Sequence, residues 1–187
     1  MKLSQMVPNP RYCTDKDTTH SYLEVYDEIF QSYQNKDINL LEIGNGVGGS
    51  IKLWLDYFKS IKIHGLEIND LKGLHDLNNQ YDNVDIVMGI DAYSEEAVNL
   101  TSLKGPFDII IDDGSHLTAH QLFVMNRYMP LLKSGGLMII EDIQSVDLIS
   151  LLLKNITSLE SNDKVSIFDR RNIKNRFDDI IIVIKKG

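Results

Sequence analysis

Residues 40–50 read Leu40-Leu41-Glu42-Ile43-Gly44-Asn45-Gly46-Val47-Gly48-Gly49-Ser50. The apolar start predicts a buried strand, and the glycines after it predict a tight turn that leads into a helix. Glycine is needed where the backbone turns sharply and must approach a nucleotide-like ligand more closely than a side chain allows. Gly44, Gly46 and Gly49 also have the spacing of dinucleotide-binding turns. From this stretch alone, a nicotinamide or flavin enzyme therefore stays open as an alternative.

The chain after residue 38 alternates short apolar runs with amphipathic stretches of helix length, the order that a parallel sheet covered by helices requires. The predicted strands lie near 39–43, 61–66, 84–88, 107–112, 136–140, 164–168 and 179–185. Only a polar loop, 170–177, separates the last two strands, so we expect them to pair as an antiparallel hairpin. The sequence thus predicts an α/β fold, a Rossmann-like seven-stranded, mostly parallel sheet with a C-terminal antiparallel hairpin and helices on both faces.

Length and composition predict one globular domain after a short leader. The 187 residues suffice for one hydrophobic core and are too few for two. Hydrophobic residues make up 43% and charged residues 25%, as in an ordinary globular protein. We predict an N-terminal leader at 1–38, with a helix at about 21–33, and a domain at 39–187.

The composition also argues against several classes of function. The net charge is -8 and the basic residues are scattered, so a nucleic-acid partner is not expected. No apolar run approaches the roughly 20 residues of a membrane span. A single cysteine, Cys13, and an N-terminus without a signal-type apolar stretch fit a reducing interior, so we expect a cytoplasmic location.

Acids near the glycine turn are placed to contact a cofactor. Glu67 ends the second predicted strand, where a carboxylate can accept both ribose hydroxyls of an adenosine group. Glu42 precedes the turn in Leu-Glu-Ile-Gly, which resembles the first motif of class I S-adenosylmethionine-dependent methyltransferases. Asp91 follows the third strand, where that family places an acid facing the adenine amine. The alternative for each acid is a solvated loop carboxylate or a helix N-cap. The resemblance implies S-adenosylmethionine as cofactor and the following contacts: Glu42, Gly44, Gly46, Gly48, Glu67, Asp91 and Asp112.

A second group of polar residues follows the fourth and fifth strands. Asp112-Asp113-Gly114-Ser115-His116 ends the fourth strand, and Glu141-Asp142 ends the fifth. Because neighbouring parallel strands bring their carboxyl ends together, these acids should converge on one site. Carboxylates without cysteine favour Mg²⁺ first and Mn²⁺ or Ca²⁺ next. His116 lies close enough to serve as a general base beside the metal. The alternatives are a simple Asp-Gly turn, a structural histidine and a helix cap.

These two patterns, with Lys133-Ser134-Gly135-Gly136 before the second, resemble the metal-dependent sugar O-methyltransferases of macrolide biosynthesis, of the mycinamicin and macrocin type, and their cephalosporin hydroxylase-like relatives. The leader is similar too, since it has Thr14-Asp15-Lys16 followed by His20, Tyr22 and Tyr26. The similarity spans about 14–142. By motif position, the resemblance implies Asp113, Glu141 and Asp142 as metal ligands, and His116 and Asp113 as catalytic residues. The chain departs from the macrolide enzymes in lacking their large N-terminal domain, which leaves oligomeric state and substrate size open.

The expected activity is transfer of a methyl group from S-adenosylmethionine to a hydroxyl of a sugar or sugar-like small molecule. The domain at 39–187 would carry this reaction with Mg²⁺ or Mn²⁺, and His116 would remove the hydroxyl proton. Two alternatives remain: a catechol-type or other small-molecule O-methyltransferase, and a catalytically silent partner subunit that binds the cofactor. A homo-oligomer is possible.

Overall fold

A computed structural model describes residues 2–7 and 9–187, and Met1 and Pro8 of the predicted leader lie outside the described residues. The strands are β1 (Asp37–Ile43), β2 (Ser60–Glu67), β3 (Val84–Met88), β4 (Phe107–Asp112), β5 (Leu132–Ile140), β6 (Lys164–Asp169) and β7 (Ile180–Lys185). The helices are α1 (Leu3–Met6), α2 (Asp15–Thr18), α3 (Leu23–Phe30), α4 (Gly49–Tyr57), α5 (Lys72–Gln80), α6 (Glu95–Ser102), α7 (Thr118–Arg127), α8 (Val146–Asn155) and α9 (Arg171–Lys174). Short 3-10 turns lie at Pro10–Tyr12 and Met129–Leu131.

The seven strands form one sheet in the order β3-β2-β1-β4-β5-β7-β6. β1 pairs in parallel with β2 and β4, and the parallel set continues to β3 on one side and β5 on the other. β7 is antiparallel to both of its neighbours, β5 and β6. The predicted mostly parallel sheet with a C-terminal antiparallel hairpin is therefore confirmed.

The apolar residues of the central strands are buried on both faces of the sheet. Leu40 and Ile109 share one hydrophobic cluster with Trp54 of α4, and Leu41 and Ile110 belong to a second cluster, which includes residues of α6, α7 and α8. Successive residues of a strand point to opposite faces, so a continuous apolar run fills two layers at once. Helices cover both faces, as the sequence predicts.

Two boundaries differ from the sequence expectation. β5 begins at Leu132 rather than at 136, because its pairing continues through the glycines: Gly135 N–H donates to the carbonyl of Lys186 at 2.9 Å, and Lys186 N–H donates to that of Gly136 at 3.0 Å. The expected loop at 170–177 contains the one-turn helix α9.

The N-terminal segment, which comprises residues 2–7 and 9–36 before β1, is folded against the sheet. The predicted helix at 21–33 is shorter, as α3 spans Leu23–Phe30, and Tyr26 and Phe30 lie in the same cluster as Trp54. β1 begins at Asp37, and the division of the chain at residue 38 stays a prediction. Within the described residues, no helix combines the length and the hydropathy that a bilayer span demands.

Backbone hydrogen bonds join the carboxyl ends of four strands. Gly44 N–H donates to the carbonyl of Leu66 at 2.9 Å, and Asp113 N–H donates to that of Ile43 at 2.9 Å. Glu141 N–H donates to the carbonyl of Asp112 at 3.0 Å. The residues that follow β1, β2, β4 and β5 therefore meet at one edge of the sheet, where open α/β sheets bind ligands.

Candidate active site

A cavity of about 1040 Å³ opens at this edge of the sheet. The glycine turn, Glu67 and Asp91 line one part of it, and Asp113 and His116 line another. The N-terminal segment contributes residues between Val7 and Thr18. Both groups of acids predicted from the sequence therefore contribute to a single cavity.

The glycine turn packs directly against the loop after β4. Gly44 has φ +80°, and a Cβ placed on it would overlap the carbonyl oxygen of Asp113. The left-handed backbone and the lack of space for a Cβ both require glycine at this position. Gly44 and Gly46 line the cavity, whereas Gly48 precedes α4 with φ +79° and its missing Cβ would meet Leu77. Gly48 therefore supports the turn from behind.

Glu67 lines the cavity and holds the glycine turn in shape. Its Oε2 accepts hydrogen bonds from the backbone N–H groups of Asn45 and Gly46, both at 2.9 Å. Its Oε1 accepts from the backbone and side-chain nitrogens of Asn69 at 3.0 and 2.9 Å. These contacts fix the carboxylate at the mouth of the turn, and its predicted contact with a ribose stays a prediction.

Asp91 is exposed and lies on the cavity wall, beside Tyr93. Tyr93 was not predicted from the sequence. Its hydroxyl accepts from the backbone N–H of Ser115 at 2.8 Å and donates to Asp112 Oδ1 at 3.2 Å, and its ring stacks on His120 with centroids 4.0 Å apart. Burial and the nearby Asp112 carboxylate raise the pKa of Tyr93 to about 12, so this hydroxyl stays protonated. Tyr93 thereby joins the Asp91 side of the cavity to the loop after β4.

Glu42 and Asp112 are buried and are not part of the cavity wall among the described residues. Glu42 Oε2 accepts from Ser50 Oγ at 3.0 Å and Trp54 Nε1 at 3.1 Å. Burial raises the pKa of each acid to about 7. Their contacts give no support to the predicted direct role in cofactor binding, which stays a prediction.

Asp113, His116 and Asp142 form a compact group that has the composition of a cation site. One potential ligand atom from each lies within 4.8 Å of the others. His116 Nε2 is 3.5 Å from Asp142 Oδ2. The two carboxylates suit a hard divalent cation such as Mg²⁺ or Mn²⁺, and the imidazole lies beside them, where a general base would be needed. The donor set therefore fits the metal that the sequence predicts.

Glu141 lies beside this group and is engaged elsewhere. Its side chain is buried, and Lys16 Nζ donates to its Oε1 at 2.8 Å and to its Oε2 at 2.9 Å. The hydroxyl of Tyr26 also donates to Oε1. The predicted acids do converge, but Glu141 faces a lysine in this arrangement, and its role as a metal ligand stays a prediction.

Residues from distant elements hold the two acids after β5. Asp142 accepts a hydrogen bond from the hydroxyl of Tyr22 and lies 3.2 Å from His20 Nδ1. Gln121 of α7 donates through Nε2 to the carbonyl of Glu141 at 3.0 Å. Sequence analysis singled out His20 and Tyr22 only as part of the family resemblance in the leader, and it assigned them no role at the site. It did not identify Gln121.

Sequence comparison places known sugar O-methyltransferases among the relatives of the chain. It is 34% identical over 140 residues to mycinamicin VI 2''-O-methyltransferase from Micromonospora griseorubida, covering 71% of this chain and 34% of that protein. It is 32% identical over 142 residues to the 8-demethyl-8-alpha-L-rhamnosyl tetracenomycin-C 2'-O-methyltransferase from Streptomyces olivaceus, covering 72% of this chain and 36% of that protein. The chain thus spans about a third of the length of the curated relatives it matches. No family model matches the sequence.

Solved structures agree with the sequence relatives. The MycE methyltransferase from the mycinamycin biosynthetic pathway, in complex with Mg and SAH, superposes with a TM-score of 0.77 and 27% identity over 100% of this chain and 55% of that one. A caffeoyl-CoA O-methyltransferase homologue from Staphylococcus aureus superposes with a TM-score of 0.60 at 18% identity over 90% of this chain and 84% of that one, which supports the fold alone. The chain therefore has the class I methyltransferase fold, and its relatives are the sugar O-methyltransferases of the mycinamicin and macrocin type.

Proposed function

We propose that the chain is an S-adenosylmethionine-dependent, Mg²⁺-dependent O-methyltransferase that acts on a hydroxyl of a sugar or sugar-like small molecule. One observation carries the proposal: the wall of a single cavity runs from the glycine turn and Asp91 to Asp113 and His116. A methyl donor and an acceptor must meet in such a continuous space, because methyl transfer requires the two reacting atoms to be in contact and in line.

The cofactor would occupy the glycine-turn side. Gly44 and Gly46 let the backbone approach it, and Asp91 is the exposed acid for its adenine amine. Glu67 would accept from the ribose while it holds the turn. The buried acids Glu42 and Asp112, with Gly48, would support this wall from behind. S-adenosylmethionine supplies an activated methyl group, so the protein has only to position it and exclude competing nucleophiles.

The acceptor would bind on the Asp113 side. Asp113 and Asp142 would hold the cation, with Glu141 next to them, and a bound Mg²⁺ would lower the pKa of a coordinated hydroxyl. His116 lines the cavity with its side chain 31% exposed, so its imidazole can reach the acceptor hydroxyl and remove the proton. Asp142 would orient the imidazole and stabilise it once it is protonated, because the two side chains are already 3.5 Å apart.

The relatives and the donor set together support a sugar acceptor. The curated relatives are named for methylation of a macrolide or of a rhamnosyl tetracenomycin, and one MycE structure contains mycinamycin VI. A glycoside offers neighbouring hydroxyls to an oxygen-rich cation site.

We also propose a cytoplasmic location and a possible homo-oligomer. A nucleic-acid partner stays unexpected at a net charge of -8.

The test is a methyl-transfer assay with the purified chain, labelled S-adenosylmethionine and Mg²⁺. We expect transfer to glycosides with vicinal hydroxyls and little transfer to diphenols. Preferred transfer to diphenols would replace the sugar proposal by the catechol-type alternative. Calorimetric binding of S-adenosylhomocysteine without transfer to any acceptor would instead support a catalytically silent partner subunit.

A further inference from the structure

Lys16 is a lysine of the N-terminal segment whose side chain is fully buried among acids. Its Nζ lies 2.6 Å from Asp113 Oδ2 and 2.8 and 2.9 Å from the two oxygens of Glu141. Glu42 Oε1 lies 3.7 Å from the same nitrogen. One ammonium therefore faces three carboxylates: Asp113 follows β4, Glu141 follows β5, and Glu42 lies within β1.

A buried lysine is stable only where its charge is compensated. Burial by itself lowers the pKa of Lys16, but the carboxylates of Asp113, Glu141 and Glu42 outweigh burial and raise that pKa well above its ordinary value. With three carboxylates around its nitrogen, Lys16 is placed as an ammonium inside the protein. In the metal-free protein, the Lys16 ammonium is thus the counter-ion that lies closest to Asp113 and Glu141.

The backbone around Lys16 is fixed and lies against the cavity. The Thr14 side chain caps α2 by accepting a hydrogen bond from the Lys16 N–H, and the Asp15 carbonyl accepts from the N–H groups of Thr19 and His20. Thr14 and Asp15 line the cavity, while the Lys16 side chain points past them to the acids. The lysine thereby fastens this wall of the cavity to the ends of β4 and β5.

We propose that Lys16 is a positioning residue for the cation site: its ammonium acts as an internal counter-ion that holds Asp113 and Glu141 in place and shares these carboxylates with the divalent cation. The inference rests on the proposed Mg²⁺-dependent function. Asp113 engages the lysine through Oδ2, and Oδ1 accepts no hydrogen bond from any described residue, so one oxygen of the same carboxylate remains for a cation.

If the lysine and the cation share the same carboxylates, removing the lysine should change the stabilisation by Mg²⁺ in a defined direction. Without the lysine, the acids repel one another in a buried setting, so the metal-free protein loses stability. The same loss removes a positive charge close to the cation, so Mg²⁺ binds the folded protein more strongly. Since a ligand of the folded state raises Tm according to its affinity, Mg²⁺ should stabilise a lysine-free variant more than the wild type.

The experiment compares the wild type with Lys16→Met by thermal unfolding, once in EDTA and once in saturating Mg²⁺. We expect a lower Tm for Lys16→Met in EDTA, and a Mg²⁺-induced rise in Tm that exceeds that of the wild type by about 4 °C or more. Lys72→Met is the matched control, because Lys72 is an exposed lysine that pairs with Asp76 at 2.7 Å. Its Mg²⁺-induced rise should equal that of the wild type.

The outcomes separate the inference from the proposed function. If Mg²⁺ does not raise the Tm of the wild type, the metal of the proposed function is wrong. If Mg²⁺ stabilises the wild type and raises the Tm of Lys16→Met by the same amount or less, the sharing of carboxylates between the lysine and the cation is wrong. If Lys16→Met does not fold, the same comparison is made with Lys16→Gln, which removes the charge and keeps a hydrogen-bond donor for the acids, and a larger rise than in the wild type is again required.

Discussion

Two non-glycine residues of the candidate site have left-handed backbone conformations. His116 has φ +59° and Asp142 has φ +54°, and their side chains face each other at 3.5 Å. Such conformations are costly for residues with a Cβ and persist where the surrounding structure holds them. Here the loop after β4 is held through Tyr93 and Ser115, and the backbone after β5 through Gln121. The backbone thus presents an imidazole and a carboxylate to one cavity.

His116→Ala should lower kcat by about 10²- to 10⁴-fold, because the acceptor hydroxyl loses its general base. The affinities for S-adenosylhomocysteine and Mg²⁺, measured by calorimetry, should stay unchanged. His116→Asn tests the backbone separately, since asparagine tolerates a left-handed conformation. His75→Ala, at an exposed histidine of α5, is the control that should keep full turnover.

Either of two results would remove His116 from the role of base. Unchanged kcat in His116→Ala would mean that another group takes the proton. A strong loss of Mg²⁺ affinity in that variant would identify His116 as a metal ligand, which its place in the compact group with Asp113 and Asp142 also permits.

Glu42 should make the stability of the fold depend on pH. Burial raises its pKa from 4.5 to about 7, so between these values the folded protein holds a proton that the unfolded chain has released. Its contribution is therefore fully present below pH 4.5 and is lost as the pH rises towards 7. At 1.36 kcal/mol per pKa unit, the loss is about 3 kcal/mol.

Urea unfolding of Glu42→Gln at several pH values from 5 to 8 tests this dependence. The unfolding free energy of the wild type should fall more over this range than that of Glu42→Gln, by about 2 kcal/mol. Glu96→Gln, at an exposed glutamate of α6, should follow the wild type. Parallel curves for the wild type and Glu42→Gln would contradict the raised pKa.

Lys16 illustrates what local sequence reasoning does not reach. Its partners Asp113 and Glu141 lie 97 and 125 residues away along the chain. No periodicity or turn signal links a leader lysine to acids at that separation. By contrast, the acids themselves were predictable, because each directly follows an apolar strand and parallel strands end at the same edge.

The start of α4 is packed against the N-terminal segment. A Cβ on Gly49 would overlap the backbone carbonyl of Cys13, and Cys13 and Thr14 line the cavity. The glycine turn therefore has two neighbours that exclude a side chain: the loop after β4 at Gly44 and the N-terminal segment at Gly49. The start of α4 therefore fixes the position of the cavity wall that Cys13 and Thr14 form.

Gly49→Ala should destabilise the protein by about 1–3 kcal/mol, because backbone atoms cannot move aside as a flexible side chain can. It should also weaken binding of S-adenosylhomocysteine, since the displaced segment is part of the cavity wall. Urea unfolding and calorimetry measure the two effects. Gly73→Ala in α5 is the control: the nearest atom to its Cβ is 3.7 Å away, so stability should stay equal or rise by up to about 1 kcal/mol. Equal behaviour of the two variants would refute the close packing.

The strands and helices of the central fold follow from the sequence because each has a clear local pattern. The apolar runs place all seven strands, and the differences are confined to ends such as the start of β5 at Leu132. The N-terminal segment was less predictable. Its short elements α1 and α2 have four residues each and depend on tertiary contacts such as that of Lys16 for their positions.

The molecule as a whole concentrates its buried charges at one edge of the sheet. Glu42, Asp112, Glu141 and Asp142 are buried there, and Lys16 is the buried lysine among the described residues. A single ammonium does not balance this set of acids. Ionisation of these acids together needs further positive charge, which a divalent cation supplies, and an overall charge of -8 adds to the attraction for such a cation.

Chelation should therefore abolish methyl transfer. In EDTA, we expect activity at background level, because the acceptor hydroxyl loses the cation that lowers its pKa, and Mg²⁺ or Mn²⁺ added in excess should restore it. S-adenosylhomocysteine should still bind in EDTA, since Gly44, Gly46 and Asp91 line the cavity independently of the cation group. Calorimetry in EDTA provides this control and separates loss of the cation from loss of the fold. Full activity in chelator would leave the buried acids with Lys16 as their main counter-charge and would remove the metal from the reaction.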